Sequence, residues 1–529
     1  MNVPAALFFG NGQGGDKMSL IQVSNLTFAY EGSYDNIFED VSFQIDTDWK
    51  LGFTGRNGRG KTTFLKLLMG EYEYHGKISA SVDFEYFPFP VDEAKTAVEI
   101  AFELNPFCGL WELEKELFRL NMSEDVLTRP FFSLSYGERT KILLAVLFLK
   151  ENAFLLIDEP TNHLDREARE IVGRYLNGKK GFILVSHDRT LLNDCTDHTM
   201  AINKTDIQIQ KGNFSSWFEN KRRQDEFELH ENEKLKKDIR RLTESSRQAG
   251  KWADDVEATK IGKKSHVRGQ LVANRDYIGE KSRRMQQRRK NLEKRQEKAM
   301  EEKKSLLKNV EEVERLKLMP ESFYADRMAE FKNVYFGYSQ ESNPGKKADL
   351  VSFSLFQGER LALEGGNGCG KSSILKLLLK EGERKNGGKF FAEEKELWHS
   401  GEIAVASGLK ISYVPQSAEF LRGSLRDFAR EWSLDETLFL AMLRKLDLSR
   451  DQFEKGMENY SQGQKKKVLL AKSLCEKAHV YVWDEPLNYI DIFTRMQLED
   501  MILEYSPTMI FVEHDRAFAD KIATKKITL

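Results

Sequence analysis

Apolar positions along the chain form short clusters that occur in two similar series, with a differently patterned section between them. In the first series, Ile21, Val23 and Leu26 follow a strand pattern. The apolar run Leu51–Thr54 then predicts a strand leading into a helix over Lys61–Leu68. In the second series, Leu361–Leu363 predicts the strand and Lys371–Leu379 the helix. Later apolar runs end at Asp158 and Asp484, and others precede His187 and His514. In the middle section Met285, Leu292, Ala299, Leu306 and Val313 fall seven apart, with Val310 completing an a/d pair, which is a coiled-coil seam. Leu235, Ile239 and Leu242 add a shorter stripe. Glycines there are confined to Gly250, Gly262, Gly269 and Gly279, and glycine interrupts helices. The pattern predicts two antiparallel helices, about 218–249 and 277–318, with an irregular tip near 250–276. At about 1.5 Å per residue each helix reaches roughly 45 Å or more. A solvated charged linker is the plainer alternative.

The motifs on these elements repeat in order. G-R-N-G-R-G-K-T (Gly55–Thr62) answers G-G-N-G-C-G-K-S (Gly365–Ser372), and S-Y-G-E (Ser135–Glu138) answers S-Q-G-Q (Ser461–Gln464). F-L-L-I-D-E-P (Phe154–Pro160) answers V-Y-V-W-D-E-P (Val480–Pro486), and V-S-H-D (Val185–Asp188) answers V-E-H-D (Val512–Asp515). The offsets, 310 for the lysines, 326 for the Asp-Glu pairs and 327 for the histidines, indicate a duplicated domain of about 200 residues. Roughly 16 extra residues enter the second copy near Asn386–Lys410. The expected fold class is α/β, with two P-loop domains joined by a long α-helical hairpin linker. The expected boundaries are a disordered N-terminal extension over 1–17, a first domain over 18–217, the linker over 218–325 and a second domain over 326–529.

Charge changes the picture only locally. The 529 residues hold 81 Lys+Arg against 83 Asp+Glu, a net charge of −2. Residues 221–320, however, hold 29 basic and 19 acidic side chains, a net of +10, so any polyanion binding belongs to the middle section. Cys108, Cys195, Cys369 and Cys475 form no CxxC pair, which argues against zinc or a disulfide framework and fits a reducing, cytoplasmic setting. No apolar stretch approaches the roughly 20 residues of a membrane span, and residues 1–17 have no signal-peptide pattern.

Each G-x-x-x-x-G-K-[ST] run follows a strand and opens a helix, the context of a P-loop. Gly55, Asn57, Gly58 and Gly60, and likewise Gly365, Asn367, Gly368 and Gly370, let backbone N–H groups wrap phosphates at a helix N-terminus. Lys61 and Lys371 suit the β/γ-phosphates, Thr62 and Ser372 suit Mg²⁺, and Thr63 and Ser373 follow them. Asp158 and Asp484 suit Mg²⁺ coordination through water. Glu159 and Glu485 come next in the chain, placed to polarise an attacking water, with His187 and His514 as γ-phosphate contacts. Strand-end capping carboxylates are the plainer reading of each Asp-Glu pair.

In this order the motifs resemble the ATP-binding cassette (ABC) ATPases. The resemblance implies ATP hydrolysis with Mg²⁺ at two composite sites. One would lie between Lys61, Asp158, Glu159, His187 and the signature Ser461/Gly463. The other would lie between Lys371, Asp484, Glu485, His514 and the signature Ser135/Gly137. By the same resemblance Asp165 and Asp491 match the D-loop, Gln416 matches the Q-loop and is a further Mg²⁺ or water ligand, and Tyr30 and Tyr338 match the adenine-stacking aromatic. Ordinary strand packing is the alternative for the tyrosines. Phe89 stands where the first copy would carry its Q-loop glutamine, so unequal hydrolysis rates are expected.

Two cassettes split by a basic helical section are similar to the ABC-F family, and G-N-F-S-S-W-F-E-N-K (Gly212–Lys221) is similar to its linker junction. That family implies binding at the E site of the 70S ribosome, with the linker directed toward P-site tRNA and the 23S rRNA of the peptidyl-transferase centre. No membrane partner is implied. A monomer with an intramolecular cassette dimer is expected, cytoplasmic and ribosome-associated. Lys281, Arg283, Arg284, Arg288 and Arg289 sit in a run with no negative charge, and Trp252 and Tyr277 near the tip suit base stacking. A solubilising helix face is the alternative. W-A-D-D-V-E-A-T-K (Trp252–Lys260), D-Y-I-G-E-K (Asp276–Lys281), E-P-L-N-Y-I-D (Glu485–Asp491) and the first-copy Y-F-P-F are similar to the resistance group, which acts against lincosamides, streptogramin A and pleuromutilins. Only 76 positions separate Lys61 from Gly137, leaving little room for an arm, and 15 residues follow His514, so no C-terminal extension is expected. The alternatives are a housekeeping ABC-F translation factor and, more remotely, a transporter ATPase subunit.

Overall fold

The computed structural model describes residues 20–32, 36–162, 164–203, 205–258, 315–337, 350–386, 397–449 and 452–529, with three single helical positions at Gln287, Lys294 and Lys298. The chain divides into two compact units. One joins Met1–Trp217 with Glu314–Leu529 and holds both cassettes; the other is Phe218–Val313.

The first cassette has two sheets. Leu20–Phe28 pairs antiparallel with Phe38–Asp46 on one side and His75–Ser79 on the other. The second sheet has six strands in the order Asp83–Phe87, Ala153–Asp158, Phe182–Val185, Lys50–Thr54, His198–Asn203, Asp206–Lys211. Its first five strands run parallel and the last is antiparallel. The central strand Phe182–Val185 is buried along its whole length, as expected where helices cover both faces of a parallel sheet. The core packs Ile21, Val23, Phe53, Phe64, Leu156 and Ile183 between the sheets and the helix Lys61–Leu68.

The second cassette repeats the plan. Arg327–Gly337 pairs with Val351–Phe356 and Trp398–Val405. A five-stranded parallel sheet has the order Ile411–Val414, Val480–Asp484, Met509–Val512, Arg360–Glu364, Lys525–Thr528. The extra residues fall between the P-loop helix, which here runs Lys371–Asn386 rather than eight residues, and Trp398–Val405. In both cassettes the strands aim their C-terminal ends at the same edge, so the P-loop, the Asp-Glu pair and the histidine converge there.

Two expectations for the linker need correction. The first helix runs Phe214–Ala258, 45 residues, straight through Gly250. One glycine costs about 1 kcal/mol relative to alanine in a helix interior, too little to end so long a segment. A tip beginning at 250 is therefore wrong, at least through Ala258. The return helix does not reach 318, nor the linker 325: residues 315–318 are not helical, and Leu316 and Leu318 bury in the second cassette's core. The chain there continues into Met319–Pro320, which pairs in parallel with Lys477–Ala478, while Glu321 binds Lys410 at 2.7 Å. At the other end, Phe214 and Trp217 are buried, Trp217 against Phe493 of the second cassette at 6.2 Å. The N-terminal extension 1–17 and most of the heptad section lie outside the described residues.

Candidate active sites

Each P-loop closes on its own lysine. Lys61 Nζ donates to the carbonyls of Gly55 (2.7 Å) and Arg56 (3.1 Å), and Lys371 Nζ to those of Gly365 (2.8 Å) and Gly366 (2.7 Å). Both lysines are buried, so their ammonium groups need these partners. Gly60 and Gly370 have φ of 94° and 104°, and a Cβ on either would meet Ile37 or Phe336 at 2.6 Å, so only glycine fits. Gly58 and Gly368, both at φ 80°, have no atom near such a Cβ and present open backbone to the cavity.

The metal-type residues already touch. Thr62 Oγ1 donates to Asp158 Oδ2 at 2.8 Å, and Ser372 Oγ to Asp484 Oδ1 at 3.1 Å. A hydroxyl and a carboxylate are hard oxygen donors of the kind Mg²⁺ takes, with phosphate oxygens and water completing the shell. The donor set therefore fits Mg²⁺, which Thr62 and Asp158 would hold in one site and Ser372 and Asp484 in the other. Tyr86 also donates to Asp158 Oδ2, at 2.9 Å. Asp484 is driven up to about 6 by burial and by the adjacent Glu485.

The two glutamates differ. Both have left-handed backbone, φ 51° at Glu159 and 46° at Glu485, which turns each side chain into its cavity. Burial pushes the Glu485 carboxyl up, but His514, Gln416 and Asn488 outweigh it and hold it down at about 2. Asn488 Nδ2 donates at 2.7 Å and His514 Nε2 lies 3.3 Å away. Burial and Asp158 instead push Glu159 up to about 8. Its Oε1 is buried without a hydrogen bond, with His187 Nε2 at 3.4 Å. Burial and then Lys61 drive His187 well below the usual histidine value.

Between the cassettes lie two cavities of comparable size. One, of about 1060 Å³, joins Tyr30, Asn57, Gly58, Gly60, Lys61, Thr62, Thr63, Asp158, Glu159 and His187 to Ser461 and Gly463. The other, of about 970 Å³, joins Asn367, Gly368, Gly370, Lys371, Ser372, Ser373, Gln416, Glu485 and His514 to Ser135, Gly137 and Asp165. Each P-loop thus faces the other cassette's signature. Ser135 and Ser461 start their helices (Tyr136–Leu147 and Gln462–Cys475) with capping boxes closed by Glu138 and Gln464. Gly137 and Gly463 sit in the first turn of these helices.

Some residues stand apart from the cavities. Gly55 and Gly365 serve through carbonyls on the lysines, and Asp484 is buried behind Ser372. Asp491 caps the helix Ile492–Tyr505, fully buried beside Lys467 at 3.6 Å, and Tyr489 takes its place on the cavity wall. Tyr30 is half-exposed and hydrogen-bonds Thr63 Oγ1 at 2.7 Å. Tyr338, Tyr277, Lys281, Arg283, Arg284, Arg288 and Arg289 lie outside the described residues, and Trp252 is described only as a position in the long helix.

Contacts that no motif pointed to close the interface. Asn57 Nδ2 donates to Tyr489 O at 2.8 Å, and Arg166 pairs with Glu364 at 3.2 Å. Arg189 makes a two-pronged pair with the buried Glu499, one prong at 3.1 Å. Arg516 pairs with Glu170 at 3.6 Å. Opposite charges are the only sequence signal for the three ion pairs.

A family model described as "ABC transporter" matches residues 38–162 and 348–488. The ribosome protection protein VmlR of Bacillus subtilis is 26% identical over 517 residues, covering 96% of this chain and 86% of that protein. ABC transporter F family member 5 of Arabidopsis thaliana is 26% identical, covering 96% and 74%. The ATP-binding protein Uup of Caulobacter vibrioides is 27% identical, covering 93% and 74%. Among solved structures, an archaeal ribosome recycling factor, aABCE1, crystallised with the stalk protein aP1, aligns with a TM-score of 0.55 at 17% identity over 95% of this chain and 87% of that one, a likeness of fold. With two cassettes, two P-loops and a family match over half its length, the chain belongs to the ABC ATPases, as an ATP-hydrolysing member of their tandem-cassette F group.

Proposed function

We propose that the chain is a cytoplasmic, ribosome-bound ATPase that protects the peptidyl-transferase centre from lincosamides, streptogramin A and pleuromutilins. The observation that carries this reading is the near full-length likeness to a protein named for ribosome protection. The basic middle section, net +10, supports an RNA target, because phosphate contacts supply salt-dependent affinity. Among the described residues no helix is long and apolar enough to cross a membrane.

In this account the P-loop N–H groups, Lys61 and Lys371 orient the triphosphates, and Ser461 and Ser135 complete each site from the opposite cassette. Mg²⁺, when bound, neutralises phosphate charge and aligns the leaving group. Glu485 accepts the proton of the attacking water at its carboxylate while Asn488 and His514 keep that carboxylate aimed; Glu159 stands in the same place in the first site. Closing the cassettes on two ATP favours the ribosome-binding shape, so ATP binding shifts the population and hydrolysis resets it. The linker, with Trp252, Tyr277, Lys281, Arg283, Arg284, Arg288 and Arg289, meets 23S rRNA and the P-site tRNA from the E site. Drug leaves as the tRNA acceptor end shifts. A second reading is a translation factor acting on stalled or initiating ribosomes, since a relative of equal identity within a point, the ATP-binding protein Uup, is not named for ribosome protection.

Expression in a drug-sensitive bacterium separates the two. Resistance is expected to rise for lincomycin, a streptogramin A and tiamulin, to stay level for erythromycin and chloramphenicol, and to vanish in the Glu159→Gln/Glu485→Gln variant. Unchanged susceptibility to all five drugs, with ribosome binding intact, favours the translation factor.

A further inference from the structure

The two sites are not wired alike behind their walls. The helix Gln462–Cys475 begins at Ser461 and carries Gly463, both on the first cavity. Five residues after Ser461, about 7.5 Å along the axis, Lys466 is buried at 2% exposure. Its Nζ donates to Pro415 O at 2.9 Å and to Glu485 O at 3.0 Å. Pro415 precedes Gln416, and both Gln416 and Glu485 belong to the second cavity. A buried ammonium group holds such carbonyls firmly, since neither side has water to turn to. One side chain therefore joins the helix that serves the first site to the loop and the glutamate that serve the second.

Among the described residues the first cassette has no such tie. Five residues after Ser135 stands Thr140, a short hydroxyl in place of a four-methylene ammonium. The Glu159 carbonyl accepts instead from Asn162 N at 3.3 Å, a bond local to its own loop.

We propose that Lys466 is a positioning residue that couples turnover in the second site to engagement of the first, with no mirror-image coupling through Thr140. The proposal rests on the reading of the two cavities as ATP sites, not on the ribosomal target. When nucleotide draws Ser461 and Gly463 into the first site, the rigid helix carries Nζ with it and sets Pro415–Gln416 and Glu485 in the second. Coupled binding must be reciprocal, but coupled turnover need not be.

The test uses the full chain with one site silenced at a time. In the Glu159→Gln background, where the second site alone turns over, Lys466→Met is expected to lower kcat about tenfold and to leave the KM for ATP within about twofold, because Lys466 itself lines neither cavity. In the Glu485→Gln background the same change leaves turnover within about twofold, as Thr140→Val does in both. Ser461→Ala slows second-site turnover when Lys466 is present and no longer does so with Lys466→Met. Should Lys466→Met not fold, Lys466→Gln, too short to reach both carbonyls, is expected to show the same loss of coupling. Equal losses at both sites, or Ser461→Ala slowing the second site equally with and without Lys466, overturns the proposal. If Ser461→Ala leaves the first site unaffected in the Glu485→Gln background, the site pairing itself is wrong.

Discussion

Glu485→Gln lowers steady-state ATP turnover on the order of 100-fold or more, the contribution expected of a positioned general base, and Glu159→Gln costs much less. The difference follows from how each carboxylate is held. Glu485 accepts from Asn488 at 2.7 Å, has His514 at 3.3 Å, and is kept ionised at about 2. Glu159 has His187 at 3.4 Å and a buried oxygen without a hydrogen bond, and burial beside Asp158 pushes it up to about 8. A carboxylate that is both ionised and aimed takes the proton of an attacking water; one that is neither waits on rearrangement. Phosphate release by the two single variants, at saturating ATP, reads this directly. Equal losses would mean that the unequal glutamate environments have no part in turnover.

Arg495→Ala destabilises the second cassette by about 3–5 kcal/mol, the cost of breaking a buried ion pair. Arg495 is buried and donates to Ile490 O, Leu487 O and Asp515 Oδ2, each at 2.9 Å. Its removal strands two loop carbonyls and a carboxylate with no exposed surface. Arg169 is the first-cassette counterpart, but it meets Asp188 at 3.4 Å, so Arg169→Ala is expected to cost less. The pH dependence has a definite sign. Burial pushes the Asp515 carboxyl up, yet Arg495 and Arg189 hold it below its ordinary value. A depressed carboxyl stabilises above its unfolded value of about 4. That stability is lost as pH falls through the folded value. The penalty of Arg495→Ala is therefore largest near neutral pH and shrinks in acid. Urea melts at pH 7 and pH 4 measure it; a penalty that grows on acidification contradicts the pairing.

The cassettes were legible because P-loop chemistry is local. Glycines, lysine and hydroxyl lie within eight residues, and the Asp-Glu pair and histidine end strands whose apolar runs are visible in the chain. What joins the cassettes was not legible. Asn57 and Tyr489 stand 432 positions apart, and nothing in either residue alone announces the other. Lys466 lies in a K-K-K run whose three lysines are all buried, in a helix that packs against Glu436–Lys445 and Ile411–Val414. Asp491 matches the D-loop by sequence, but its side chain caps a helix rather than facing the cavity. Gly250 suggests a helix stop by residue type, although propensity is a weak term in a 45-residue helix. The return helix is expected to run to 318, but Leu316 and Leu318 bury in the second cassette's core instead.

The central claim is that ATP-bound closure produces a ribosome-binding protein. Sedimentation of the Glu159→Gln/Glu485→Gln variant with purified bacterial 70S ribosomes, with ATP and with ADP, tests it most directly. The variant is expected to pellet with ribosomes in ATP and to remain in the supernatant in ADP. A variant that binds ATP yet sediments free of ribosomes in both nucleotides contradicts the account.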